Sequence, residues 1–313
     1  MAHIHPTALV DADTCIPPST IIGPFCLIGA GVTLGPDCII ESGARLYAGV
    51  QMGAGNHVHS GAMIGGPPQD IAFDPGVFTG LVIGDHNIFR EQVTIHRATR
   101  PDRPTRLGSH NFLMVNAHVA HDCQVGDHNI FANGATLAGH VELDHHVFLS
   151  GHTAVHQFCR IGAYVMVAGV TGVSQDVPPY VTVDGHRARM VGLNTVGLRR
   201  NGFSQATRST IQQAYRMLYE AALPRADVLA RLAADPCPEV QAIAQFLAGS
   251  RRGLVSGGGQ SADSPSVKDL PTVGVVGIGG TGTLQMGAGP VSTASALDNR
   301  EGLDAVVETV VVE

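Results

Sequence analysis

From Ile4 onward, every sixth residue of the chain is aliphatic or methionine, through Val10, Ile16 and Ile22 to Ile64. The period returns at Ile83, Phe89 and Ile95, then runs without a gap from Leu107 to Val173, for 26 positions in register. The residue two before each is usually small (Thr20, Cys26, Val32, Cys38), and the residue after is often glycine (Gly23, Gly29, Gly35). Two inward side chains and then a corner describe one short strand of a parallel β-helix built from hexapeptide repeats. Three such strands close a triangular coil of 18 residues, so the pattern predicts roughly nine coils and a prism on the order of 40 Å long.

Two segments break the period, 66–82 ("GPPQDIAFDPGVFTGLV") and 97–106 ("RATRPDRPTR"). Loops ejected from a packed solenoid tend to carry function, because the coil itself has no need of them. Past Pro178-Pro179 the period changes. Ser204 stands where it would cap a helix with apolar residues at helical spacing, and Pro224 and Pro238 would open two more, the last ending near Ser250. The division expected is a β-helix over 1–185, a small helical domain over 186–255, and a Gly/Ser-rich linker and tail over 256–313. The tail contains a formal G-x-G-x-x-G at Gly277, Gly279 and Gly282, but too little chain follows for a dinucleotide fold, so it reads as a truncated remnant or as disorder.

Composition agrees with short strands and many corners: 39 glycines, no tryptophan, 5% aromatic and 14% charged residues. Cys26, Cys38, Cys123 and Cys159 fall at inward positions, and only Cys15 and Cys237 lie outside the pattern, so no disulfide framework is expected. No apolar run is long enough to span a membrane and none resembles a leader, which points to a soluble, cytoplasmic protein. A formal charge of −7 argues against general nucleic-acid binding.

The candidate chemistry lies in "NAHVAHD" (116–122). Residues 18 apart stack on one edge, so His121, Gly139 and Gln157 form one column and Asp122, His140 and Phe158 the next. Histidine is the side chain best matched to removing a proton from a hydroxyl at neutral pH, and a glycine amide approaches a developing oxyanion unobstructed. The layout suits acyl transfer, with Asp122 or a neighbour orienting the imidazole. Corner histidines are ordinarily solvated turn residues, yet His96, His118, His121, His140 and His156 gather on neighbouring coils. A zinc site is the competing use of such histidines, but the stacking offers no evident set of three, so no metal ligand is assigned. Between Gly185 and Tyr219 there are six arginines, among them Arg187 and Arg200, and no acidic residue, which suits a phosphate-bearing carrier or nucleotide.

The motifs "VTIHRAT", "NAHVAHDCQVG", "ATLAGHV", "TAVHQFCRIGAYVMVAG", "SQDVPPYV" and "GLNTVGLRRNGFS" together resemble the acyl-carrier-protein-dependent UDP-N-acetylglucosamine O-acyltransferases of lipid A biosynthesis, over about residues 3–255. The resemblance implies a left-handed coil, a homotrimer with active sites between neighbouring prisms, and transfer of a 3-hydroxyacyl chain from acyl carrier protein to the sugar 3-hydroxyl. It implies no resident cofactor, the acyl group arriving on the carrier's phosphopantetheine. It makes His121 the general base and Gly139 the oxyanion donor, and it places His118, His140, His156 and Gln157 around sugar and acyl chain. His96 belongs to the same substrate-binding group. Gln69 and Asp70 match a substrate-contacting pair, Asn194 and Arg200 match positions that hold the nucleotide or the carrier arm, and Gly169 falls where acyl length is measured. Ala72 stands where the family usually has lysine, and Asn201 where a second arginine is common. The altered loop keeps open acylation of a 3-amino sugar nucleotide and a non-catalytic paralogue that binds acyl carrier protein, and the gathered histidines leave a zinc-dependent carbonic anhydrase as a further alternative.

Overall fold

The computed structural model of the chain describes residues 2–219 and 223–257. The linker from 258 onward, with the Gly277, Gly279 and Gly282 motif, lies outside the described residues.

Two-residue strands recur along the first 173 residues and stack into three sheets of 11, 9 and 7 strands, all parallel up to Val183. This is the left-handed parallel β-helix. The register is the one counted from sequence: Phe112 pairs with Ile130, Ile130 with Phe148, and Phe148 with Met166, each 18 residues on. The two insertions lengthen single coils without disturbing it. Val58 pairs with Phe89 and Phe89 with Leu113, so the coils on either side stay aligned while extra chain is looped out.

Every period position from Ile22 to Val173 is at most 6% exposed. Each buried aliphatic side chain stabilises the fold by about 1.5–3 kcal/mol relative to leaving it in water. Ile4, by contrast, is 39% exposed, because the first coil has no coil beneath it. The four inward cysteines are buried and unbridged, as the pattern predicts.

The second inward position carries a feature the apolar pattern hides. Asn56, Asn87, Asn111 and Asn129 are buried on successive coils and form a ladder. Asn87 Nδ2–H donates to Asn56 Oδ1 at 2.9 Å, Asn111 Nδ2–H to Asn87 Oδ1 at 3.0 Å, and the Asn129 N–H to Asn111 Oδ1 at 2.9 Å. Each amide satisfies the coil beneath it, which is what permits polar groups in the core. The ladder stops at Asn129: its Oδ1 accepts from the Val147 N–H at 2.8 Å, valine replaces asparagine on that next rung, and the Asn129 Nδ2 is left without a partner.

Fifteen described non-glycine residues hold positive φ, all at corners or turns, and six of them are histidines. Short polar side chains tolerate this left-handed conformation better than most.

After the last coil the described residues form four helices: α1 (Thr195–Arg200), α2 (Gln205–Tyr219), α3 (Arg225–Ala233) and α4 (Pro238–Ala248). Ser204 caps α2 as expected, its Oγ accepting from the Thr207 N–H at 3.0 Å. Pro238 sits in the first turn of α4, whereas Pro224 precedes α3 at the cap position. Residues 186–194, included with the helices on sequence, instead carry a strand, Arg189–Leu193, antiparallel to Val181–Asp184. The mixed pattern of that segment concealed it, since a terminal hairpin strand is covered on one side only. The helices clasp the end of the coil through buried groups: Tyr215 Oη–H donates to Pro179 O at 2.6 Å, and the buried Asp176 carboxylate accepts from the Arg160 N–H, the Ser250 hydroxyl and the Arg251 N–H.

Candidate active site

Both insertions leave the prism at the corner that follows the nine-stranded sheet, which contains Ile64, Ile95 and Val119. His121 sits at that same corner one coil beyond the second insertion. The loops therefore wall the edge on which the histidine column stands.

His121 and Asp122 are both buried, and His121 Nδ1 lies 2.7 Å from Asp122 Oδ2. Neighbours in a chain seldom point the same way, but the left-handed corner at Asp122 (φ 61) swings its carboxylate back onto the preceding ring. The Thr99 N–H and hydroxyl donate to the two oxygens of the same carboxylate at 3.1 and 2.8 Å, and the Asp122 N–H donates to Thr105 Oγ1 at 2.8 Å. Burial pushes the Asp122 carboxyl up, but the hydrogen bonds from His121 and Thr99 outweigh it and the net shift is downward. An ionised carboxylate only accepts, so the proton resides on His121 Nδ1 and leaves Nε2 with a free lone pair. Nε2 faces the groove.

Gly139 lies directly against this ring. A Cβ built there would come within 2.6 Å of His121 Cε1 and 2.8 Å of Nε2, so only glycine permits the imidazole to lie over the coil above. The Gly139 N–H has no acceptor among the described residues and stands free beside the base. His121 and Gly139 occupy one edge, as the 18-residue stacking predicts.

An open groove of about 830 Å³ runs along this face, lined by Gln69, His118, His121, Gly139, His156 and Gln157 among the residues expected from sequence. His140 flanks it, with Nε2 3.6 Å from Asp122 Oδ2, and Asp70 lies close enough to His140 to act on it electrostatically. His96 packs edge-on against His118 at 5.1 Å. Burial, then the neighbouring His118 and His121, holds the His96 imidazole down at about 4, and burial lowers His118 and His140 as well. Those three rings, His96, His118 and His140, are neutral at neutral pH.

Three expected residues do not join the groove within one chain. Gly169 lies exposed at a different corner, and Arg200 is exposed at the end of α1. Asn194 caps α1 with Oδ1 and donates from Nδ2 to Tyr164 O at 2.9 Å. Conversely, sequence reasoning did not assign Thr99, His186 or Arg187 to the site. Thr99 lies within the second insertion and Arg187 within the arginine-rich segment, so each carried a signal; His186 carried none.

His121, Asp122 and His140 also bring three donor atoms within 4.8 Å of one another, a spacing a metal ion would accept. Here, however, both Asp122 oxygens already accept from Thr99 and His121 Nδ1, the arrangement of an orienting carboxylate.

Residues 176–255 match the family model described as UDP-N-acetylglucosamine O-acyltransferase, domain 2, and residues 104–139 match that of the bacterial transferase hexapeptide. The chain is 48% identical over 262 residues to the acyl-[acyl-carrier-protein]–UDP-N-acetylglucosamine O-acyltransferase of Herminiimonas arsenicoxydans, covering 82% of this chain and 100% of the relative. It is 49% identical to the protein of that name from Anaeromyxobacter dehalogenans strain 2CP-1, covering 80% and 98%. Among solved structures, the UDP-N-acetylglucosamine O-acyltransferase of Moraxella catarrhalis aligns with a TM-score of 0.78 at 41% identity, covering 80% of this chain and 99% of that one. The enzyme of Francisella novicida aligns equally well at 35% identity, covering 81% and 94%. With the histidine, its carboxylate and the glycine on one edge of a hexapeptide coil, and relatives matched over their whole length, the chain belongs to the UDP-N-acetylglucosamine O-acyltransferase family.

Proposed function

We propose that this enzyme transfers a 3-hydroxyacyl chain from acyl carrier protein to the 3-hydroxyl of UDP-N-acetylglucosamine, the first step of lipid A biosynthesis. The observation that carries the mechanism is the 2.7 Å contact between His121 Nδ1 and Asp122, which leaves Nε2 as a base beside the free Gly139 amide. His121 Nε2 takes the proton of the sugar hydroxyl as its oxygen attacks the thioester carbonyl, and Asp122 stabilises the imidazolium that forms. The Gly139 N–H donates to the tetrahedral oxyanion. Collapse breaks the carbon–sulfur bond, and the departing phosphopantetheine thiolate receives the proton back from His121.

Gln69, His118, His156 and Gln157 give the groove polar contacts for sugar and acyl oxygens, and the small outward residues Thr136, Ala154 and Gly172 leave room for a chain along it. The reading assigns the reaction no resident cofactor. It places the enzyme in the cytoplasm, where acyl carrier protein and sugar nucleotide are made; no helix among the described residues is long and apolar enough to cross a membrane. It further takes the active unit to be a homotrimer. The outward row of the 11-stranded sheet, with Ile21, Ile39, Ile88, Phe112, Ile130 and Phe148 and interrupted by His57, is mostly apolar where a solvated face would be polar, which supports packing against neighbours. Assembly would bring Asn194, Arg200 and Gly169 of neighbouring copies to the groove.

The test offers purified protein 3-hydroxyacyl carrier protein together with UDP-N-acetylglucosamine or its 3-amino analogue, with mass detection of product. Acylation of the hydroxyl sugar that disappears in His121→Ala is the expected result. Preference for the amine would overturn the acceptor, and no product from either would overturn the reading.

A further inference from the structure

A second cluster of donor atoms stands on a different corner and an earlier pair of coils. Glu41 ends one coil of the 11-stranded sheet; His57 and His59 flank the inward Val58 of the next. Residues 57 and 59 alternate with that inward position, so both imidazoles project outward, and Glu41 stacks 18 residues behind His59. The backbone that holds them is fixed: Ile39 pairs with His57, and the Glu41 N–H donates to Val58 O at 2.8 Å.

The three side chains converge on one point. Glu41 Oε1 lies 2.8 Å from His57 Nε2 and 3.2 Å from His59 Nδ1, and all three donor atoms fall within 4.8 Å of one another. The second carboxylate oxygen is anchored by the Ser60 N–H and hydroxyl, each at 3.2 Å, leaving Oε1 directed at the imidazoles. The two rings stack at 4.0 Å with their facing nitrogens aimed at the same oxygen. A tetrahedral ion with metal–ligand distances of about 2.0–2.2 Å separates its ligand atoms by roughly 3.3–3.6 Å. The 2.8 and 3.2 Å contacts seen here would have to open by less than about 1 Å to admit one.

We propose that Glu41, His57 and His59 form a binding site for a divalent transition-metal ion of the zinc class. Two imidazoles and one carboxylate are a donor set this class favours over calcium or magnesium, and water would complete the coordination. Arg90, which follows Phe89 on the coil above, has its guanidinium engaged by Glu91 at 3.1 Å through two contacts. The bound ion would staple one coil to the next, remote from the groove.

The experiment titrates metal-stripped, full-length protein with Zn2+ against a chromophoric chelator, and follows thermal unfolding with and without Zn2+. One tight site per chain is expected, weakened at least tenfold in His59→Gln and in the isosteric Glu41→Gln, and retained in His140→Asn, which disables the other donor cluster. Zinc should raise the unfolding temperature of the unaltered protein and not of Glu41→Gln, while Glu41→Gln keeps its transfer activity, which reports that it is folded. Undiminished affinity in both variants, loss of the site in His140→Asn, or no tight binding by the unaltered chain would each overturn the proposal.

Discussion

Two edges of the prism carry histidines on stacked coils and use them differently. On the edge that leads into the 11-stranded sheet, His86, His110, His128 and His146 stack ring on ring at 5.2, 4.9 and 4.7 Å, and Tyr164 continues the stack at 4.7 Å. Each of these histidines precedes an inward residue, and for the first three that residue is an asparagine of the buried ladder. Imidazoles stack outside and amides hydrogen-bond inside, so the edge is a structural seam. On the catalytic edge the column is His121, Gly139 and Gln157: no ring lies over His121 in its own column, a glycine opens the space, and a buried carboxylate holds the imidazole. A histidine becomes a base through what its neighbours leave free.

The comparison breaks most sharply at His121. His121→Ala should lower kcat by roughly 10²–10⁴-fold, the usual contribution of a general base, with an unchanged unfolding temperature. A drop in stability of the same variant would make His121 part of a seam like the other edge. Gly139→Ala comes next: the added methyl collides with the ring that Asp122 holds, and kcat should fall on the order of 10- to 100-fold while the fold persists. The mirror-image result is expected on the structural edge. Asn111→Ala removes one rung and strands the buried Asn129 N–H, while Asn87 Oδ1 keeps only the backbone N–H of residue 111, at a cost of about 1–3 kcal/mol in denaturant unfolding, with transfer activity per folded molecule retained.

The prism was legible because its rule is short. One inward aliphatic per six residues reports burial directly, and the 18-residue coil turns sequence distance into spatial adjacency, so His121 and Gly139 could be placed together by counting. The asparagine ladder was not legible, since an amide scores as polar unless its partners on the neighbouring coils are known. Nor could counting reach Thr99, whose bonds to Asp122 depend on how a looped-out segment folds back. The Arg189–Leu193 strand escaped because a hairpin laid over the end of a coil obeys neither the sixfold period nor a helical one. Asn194 carries a role that the motif match did not reveal, capping α1 within its own chain.

The catalytic edge should also betray itself through acid sensitivity, the smallest effect of the set. His96 is half-buried against His118, its Nδ1 has no hydrogen-bond partner, and its imidazole is held down at about 4 against an ordinary value of 6.5. Between those values the unfolded chain binds a proton that the folded chain refuses, so the contribution of this group to stability is complete above about pH 6.5 and is lost as pH falls toward 4. Asp122, held below its ordinary value, gives up its contribution only at lower pH, as the medium reaches its own depressed range. The unfolding temperature should therefore decline by roughly a few degrees between pH 7 and pH 4.5. His96→Gln should flatten that decline, because it removes the refused proton whatever it does to stability at neutral pH. An equally steep decline in His96→Gln would move the acid sensitivity away from the catalytic edge, with the stacked His146, also lowered by burial and by His128, as the group to test on the other.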